Sequence, residues 1–317
     1  EGNVVGGFLE KKLEYCRKII KGEINDKRLL PWLYTQDSEK EIYSSEQSWQ
    51  KSNPSLGTVK MNSYLEDIMN KARNDLSTRL TMLCKDFNIK QLESGSWLTF
   101  DDLNNEEKYE LKDLSNNYAI GGVDLSSTTD LTAAVLVVIK NGKKYVVPHF
   151  FMPSEVIEKR KEEDNVPYDI WVKRGLLTLT EGSQNDFTKV TEWFKDMVYE
   201  YGVRPLWVGY DPWNSRYWVN EMKDSGFDME EVRQGVFSLS EPMKQLEADL
   251  KNHIVIYDDN PILKWCLANT QAKVDVNGNI QPCKLNSKYK RIDGAVALII
   301  AYTILNRHKI EYENMMS

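Results

Sequence analysis

Residues 118–139 read YAIGGVDLSSTTDLTAAVLVVI, an apolar run ending in Asp124, a short polar turn, and a second apolar run leading away from it. In the second run Leu131, Ala133, Val135 and Val137 alternate with Thr132, Ala134, Leu136 and Val138, the period-two pattern of a strand with one richly buried face. The two runs and their turn predict a β-hairpin with an acid at its mouth. An ionised carboxylate leaving an apolar strand needs a compensating partner, and a metal ion is the obvious one. Gly121 and Gly122, just before Asp124, and the Ser-Ser-Thr-Thr turn after it leave room for a ligand to approach.

Outward from the hairpin, a third strand is expected at residues 144–151 and charged helical segments at 154–173. A helix at 188–201 closes at Gly202 and feeds the strand PLWVGYD, residues 205–211, again apolar and again ending in aspartate. A helix to about 225, a strand at 232–237, a helix at 241–252, a short strand at 254–257, a helix at 261–269 and a hairpin around 277–279 follow. The last helix, in KYKRIDGAVALIIAYTILNRH, carries Asp293 in its first turn. Alternating strands and helices point to an α/β domain from residue 118 to 317. Upstream, residues 8–23 form an amphipathic helix, 29–34 a short strand, and 63–87 one long helix with apolar residues at helical spacing. The polar stretch 96–117 reads as a linker.

The chain has 317 residues, 41% of them hydrophobic, with nine Trp, enough for one large or two modest cores. Its four cysteines, Cys16, Cys84, Cys266 and Cys283, are dispersed without a CxxC pair, which argues for core thiols rather than a zinc site or disulfide framework. No signal peptide is expected, and no apolar stretch approaches the roughly 20 residues of a membrane span. An intracellular, reducing setting is expected, in the cytoplasm rather than secreted. The net charge of −7 argues against a general nucleic-acid coat but not against a local basic groove.

Asp124, Asp211 and Asp293 thus occupy comparable places, two at strand ends and one at a helix start. Carboxyl ends of neighbouring strands form the usual ligand crevice of α/β sheets. Three hard oxygen donors meeting there suit Mg²⁺ or Mn²⁺, two of which serve phosphodiester hydrolysis. Two of the three also have a plainer reading: Asp293 as a helix cap, Asp211 as the start of an Asx turn before Pro212. Asp130 is either a further ligand or a cap of the hairpin turn. Lys284, Lys288, Lys290 and Arg291 cluster before Asp293, and with Arg216 are candidates for sequence-independent phosphate contacts. Trp213 reads as core more readily than as a base-stacking group, and His149, His253 and His308 fall outside the acidic motifs.

The ordered set GGVDLSSTTDLTA (121–133), WVGYDPWNSR (207–216) and KYKRIDGAVALIIAY (288–302) resembles the three acidic motifs of the nuclease domain of tailed-phage large terminases, which has an RNase H-like fold. The likeness covers most of residues 118–308 and extends to Pro242, Leu246, Pro261, Trp265 and Asn269 between the motifs. SWQKSNPSLG, residues 48–57, resembles the tail of the terminase ATPase domain, so that residues 1–95 are expected to be the trailing part of that domain. The resemblance implies an RNase H-like mixed sheet flanked by helices, with Asp124, Asp211 and Asp293 as metal ligands of a divalent-metal-dependent endonuclease. It implies cutting of concatemeric double-stranded viral DNA during genome packaging in the host-cell cytoplasm. The portal protein and the small terminase subunit are the partners it implies, with no membrane. The chain contains no GxxxxGK[ST] loop, so ATP is expected to act only through an ATPase part absent here. A different class, the actin-like and sugar kinases, shares the Asp-plus-Ser/Thr turn but requires a second glycine-rich phosphate hairpin that is not visible. A non-catalytic packaging assembly module is the third reading.

Overall fold

A single cap divides what reads in the sequence as one helix over residues 63–87. In the computed structural model, which describes residues 8–73, 75–90, 96–105, 107–126, 131–164, 166–213, 215–284 and 290–316, Asp75 accepts the Thr78 N–H at 2.8 Å and starts a new helix. The first compact unit, Glu1–Phe100, accordingly carries α1 (Phe8–Ile20), α2 (Glu39–Ser44), α3 (Asn62–Ala72) and α4 (Leu76–Lys85). Its core is Ile42, Trp49, Leu65, Met69, Met82, Leu83 and Phe87, with the Trp49 indole N–H donated to the Ile42 carbonyl at 2.8 Å. The strand expected at residues 29–34 does not form: among the described residues this unit has no strand for it to pair with, and Leu30 and Trp32 stand exposed.

The second unit, Asp101–Ser317, is built on the expected hairpin. β1 (Asn117–Asp124) pairs antiparallel with β2 (Thr132–Lys140), and β2 with β3 (Lys143–Pro153). β4 (Leu177–Thr180) extends the sheet parallel to β3; β5 (Val203–Tyr210) and then β6 (Met229–Glu231) extend it on the other side, parallel to β1. The order is β4-β3-β2-β1-β5-β6, with β7 (Val255–Ile256) also paired to β3; β8 (Thr270–Val274) and β9 (Ile280–Lys284) form the separate hairpin expected near residue 278. This mixed α/β sheet with helices on its faces has the RNase H-like architecture implied by the sequence.

The strand expected at 232–237 is displaced. The ladder to β5 ends at Tyr210↔Glu231, and Val236 already opens a helix. The apolar pair Val236-Phe237 carries no alternation that separates a strand from a helix start.

The helices of this unit are α5 (Ile157–Asp164), α6 (Tyr168–Lys173), α7 (Thr188–Tyr199), α8 (Arg216–Asp224), α9 (Val236–Lys251), α10 (Pro261–Ala268), α11 (Asp293–Arg307) and α12 (Lys309–Met316). β2 is buried from Thr132 to Val138 on both faces, where the alternation suggested one, because helices cover both. On one side Val123, Ala134, Leu136 and Val208 meet Trp193 and Phe194 of α7 and Trp218 and Met222 of α8. On the other lies α11, buried from Asp293 to Leu305. Lys144, Asp249 and Tyr302 tie β3, α9 and α11 together through the Asp249 carboxylate, which accepts the Tyr302 hydroxyl at 3.0 Å. The described residues of the stretch before β1 pack on this unit: Leu103 is buried with its carbonyl bonded to Tyr257, and the Tyr109 hydroxyl donates to the Val146 carbonyl at 2.7 Å. No helix among the described residues is long and apolar enough to cross a membrane.

The glycines before Asp124 serve packing rather than ligand access. A Cβ on Gly122 would lie 2.2 Å from the Ala297 carbonyl oxygen and 2.6 Å from the Ala301 amide nitrogen, both helix backbone. Gly209 on the neighbouring strand similarly admits Ile300 and Ile304. These absent side chains let α11 sit close against β1 and β5. Gly122→Ala is therefore expected to push α11 off the sheet and to destabilise the unit by about 3 kcal/mol, the upper range for overpacking. A urea titration reads this as a lowered midpoint; a midpoint equal to wild type would mean that the helix shifts at no cost.

Candidate active site

The pairing of β1 with β5 determines where the first two carboxylates emerge. The two strands run parallel with Val123 opposite Tyr210, so the next residues, Asp124 and Asp211, leave the sheet side by side at its C-terminal edge. Both are half-buried. The loop after Asp124 is held from two sides: Thr132 Oγ1 donates to the Ser126 carbonyl and accepts the Ser126 N–H, each at 3.0 Å, and Asn185 Nδ2 donates to the same carbonyl at 2.7 Å. Asn185, on the segment before α7, escaped sequence reading because a lone Asn in the polar run EGSQND carries no periodicity.

Asp211 adopts the Asx turn that its sequence allows, its Oδ1 accepting the Trp213 N–H at 3.0 Å. Asp293 is the first residue of α11 rather than its cap, which is Ile292, and its carboxyl is buried, 6% exposed. Gly294 beside it lets the helix start seat against β3, since a Cβ there would meet the Phe150 ring at 2.9 Å.

Burial pushes the Cys266 thiol of α10 well up, and the charges of Asp293 and Asp124 act in the same direction, against a smaller lowering by the Gly294 amide and Arg291. Among the described residues no three His, Cys, Asp or Glu side chains are close enough to hold a metal ion together as they stand. The donor set is nonetheless of the hard-oxygen kind that Mg²⁺ and Mn²⁺ take, on adjoining strand ends and a helix packed across them. Asp130 and Lys288 lie outside the described residues.

The expected basic cluster divides. Lys284, at the end of β9, and Lys290 are partly exposed, and Arg216 is exposed at the start of α8. Arg291 is not a surface group: it is 1% exposed, and its guanidinium donates from Nε to one oxygen of Asp164 at 3.0 Å and from Nη2 to the other at 3.2 Å. The Asp164 side chain is fully buried and also accepts the Tyr168 hydroxyl at 2.6 Å. This correction has a plain cause. A run of cations before a helix reads as solvated, and the run Glu162-Glu163-Asp164 reads likewise, so nothing local in either marks a buried partner. Trp213 departs from expectation the other way: it is 78% exposed, not core.

None of the histidines enters the site. Burial pushes His149 down to about 4, stacked on Trp193 and bonded to Thr178, while His308 stacks on Trp207 beside Glu230 and Glu311.

Known proteins resemble this chain in sequence and in fold. The chain is 25% identical over 319 aligned residues to protein YmfN of Escherichia coli K12, covering 94% of this chain and 68% of that protein. It is 27% identical over 276 residues to the large terminase subunit of enterobacteria phage HK97, covering 83% of this chain and 52% of that one. The crystal structure of the HK97 large terminase superposes with a TM-score of 0.58 at 24% identity, over 92% of this chain and 60% of that one, and shows the same fold. The chain thus spans about half to two-thirds of the length of these relatives. The family described as "Terminase large subunit, endonuclease domain" matches residues 23–309, nearly the whole of the 317-residue chain, which therefore belongs to that family.

Proposed function

We propose that this chain is a divalent-metal-dependent endonuclease that cuts concatemeric viral DNA during genome packaging, with Asp124, Asp211 and Asp293 as its metal ligands. The observation that carries this reading is the parallel register Val123↔Tyr210, which delivers two carboxylates from adjacent strands to one sheet edge, beneath the helix that begins with the third. When bound, Mg²⁺ or Mn²⁺ activates water and stabilises the leaving 3′ oxygen of a phosphodiester.

The chain's own contribution is to hold oxygen donors. Thr132 and Asn185 fix the backbone just beyond Asp124, the Asx turn fixes Asp211, and α11, seated on Gly122, fixes Asp293. Asp130, six residues after Asp124 in the sequence, is proposed as a further ligand. Lys284, Lys288, Lys290 and Arg216 are proposed as phosphate contacts; Arg291 is not, since its guanidinium is committed to Asp164. Double-stranded DNA is then the substrate, the portal protein and small terminase subunit the partners, and ATP acts through other parts of a large terminase.

Incubating the chain with supercoiled plasmid and Mg²⁺ or Mn²⁺ tests the reading. Nicked and linear products that EDTA abolishes are expected; intact plasmid under every metal condition would leave the non-catalytic assembly module. For the cations, Lys284→Ala with Lys290→Ala is expected to lower the slope of log affinity against log salt by about 2, close to one unit for each phosphate no longer neutralised. An unchanged slope would remove both lysines from the DNA path.

A further inference from the structure

Three aromatic side chains stand almost fully in solvent on or just beyond the two loops that leave β5 and β6: Trp213 on the first loop at 78% exposure, Tyr217 in the first turn of α8 at 91% and Phe237 in the first turn of α9 at 104%. β5 and β6 run parallel, with Tyr210 opposite Glu231, so these loops leave the sheet at the same edge as Asp124 and Asp211. Trp213 lies two residues beyond Asp211 and is tied to it by the 3.0 Å bond from its own amide. Tyr217 follows at the start of α8, whose Trp218, Val219 and Met222 face the core, so packing does not demand an aromatic there. Phe237 is the second residue of α9, ahead of the buried Leu239 and Met243. Two exposed arginines, Arg216 and Arg233, alternate with the three rings.

Single exposed apolar residues are ordinary, but large rings on segments that leave one sheet edge, interleaved in sequence with exposed guanidinium groups, point to a binding surface. The chemistry that matches both is a nucleic-acid strand: guanidinium for phosphate, ring faces for bases. A base in an intact duplex already has both faces covered, so rings bind it only where stacking is broken or where they wedge a step open.

We infer that Trp213, Tyr217 and Phe237 form a rim that stacks on unstacked bases next to the phosphate to be cut, so that the chain prefers locally opened DNA over a continuous duplex. This rests on the nuclease reading and adds to it the state of the substrate. The phosphate contacts of the lysines bind paired and opened DNA alike; the rim distinguishes them.

The test compares affinities of the full chain for a fully paired duplex and for the same duplex with a short central unpaired bubble, in Ca²⁺, so that DNA binds under a divalent cation other than the proposed Mg²⁺ or Mn²⁺. Wild type is expected to bind the bubble about ten-fold more tightly, the scale of stacking one base on one ring. Trp213→Ala/Tyr217→Ala/Phe237→Ala is expected to keep its affinity for the paired duplex within about two-fold and to lose the preference. Retained affinity for the paired duplex shows that the variant is folded. Equal wild-type affinities for the two DNAs, or a preference that survives the three substitutions, overturns the inference while leaving metal-dependent cleavage standing. Should wild type neither bind nor cut any DNA with Mg²⁺ or Mn²⁺, the nuclease reading falls, and this inference with it. An aromatic rim that serves a protein partner instead appears as unchanged binding to both DNAs after substitution.

Discussion

Asp124→Asn, Asp211→Asn and Asp293→Asn are each expected to lower plasmid cleavage on the order of a thousand-fold, about 4 kcal/mol in barrier. The amide keeps the shape of the carboxyl and removes the charge, which separates ligand loss from packing loss. Asp124, at the end of β1, and Asp211, just past the end of β5, are half-buried, so their replacement is expected to leave the thermal midpoint close to that of wild type. Asp293 is 6% exposed at the head of the central helix, and an isosteric change there is the mildest that removes an anionic donor. The measurement is initial cleavage rate at saturating Mg²⁺ and Mn²⁺, with a melting curve for each variant. A variant that is folded and cleaves at more than about a tenth of the wild-type rate shows that its carboxylate is not a ligand the metals require. The structure makes the experiment more discriminating than the sequence alone does, because Asp211 has an alternative duty in its turn to Trp213.

The second large effect concerns folding. Arg291→Ala leaves the Asp164 carboxylate buried without its guanidinium, and Asp164→Ala does the reverse; breaking a buried ion pair from one side costs about 3–5 kcal/mol. Each single variant is expected to lose that much stability in urea unfolding. The pair replaced together, Arg291→Met with Asp164→Leu, is expected to recover most of it, because neither member of this pair is then left buried without the other. Tyr168 also donates to Asp164 and would need to be satisfied elsewhere, which limits how complete the recovery is. Additive losses in the double variant would show that the two residues are not energetically coupled. Arg291 lies two residues before Asp293, so the pair also anchors the entrance to α11. The stable double variant reveals through its cleavage rate whether that anchoring matters to the site.

Much of the second unit is legible in the sequence because its signals are local. The alternation in residues 131–139, the Pro and Gly boundaries, and the helical spacing in 188–199 each report on a few neighbouring side chains. They identified β1, β2, β3, β5, α7, α10 and α11 within a few residues. Where a break depends on one side chain's hydrogen bond, as with Asp75 between α3 and α4, periodicity runs straight through it. The same local character made Asp124, Asp211 and Asp293 conspicuous, because each interrupts an apolar pattern.

The amino-acid order by itself determined that two apolar strands end in aspartate, that a third aspartate heads an apolar helix, and that all three occur in the order of a known family's motifs. Only the tertiary structure decided what each neighbour does. Gly122 admits a helix backbone, Arg291 turns inward to Asp164, and Trp213 faces water. The reason is physical: strand and helix patterns arise from residues a few positions apart, whereas a side chain's burial and charge partner depend on segments more than a hundred positions away. Arg291 and Asp164 are separated by 127 residues, and no local signal in either stretch specifies the other.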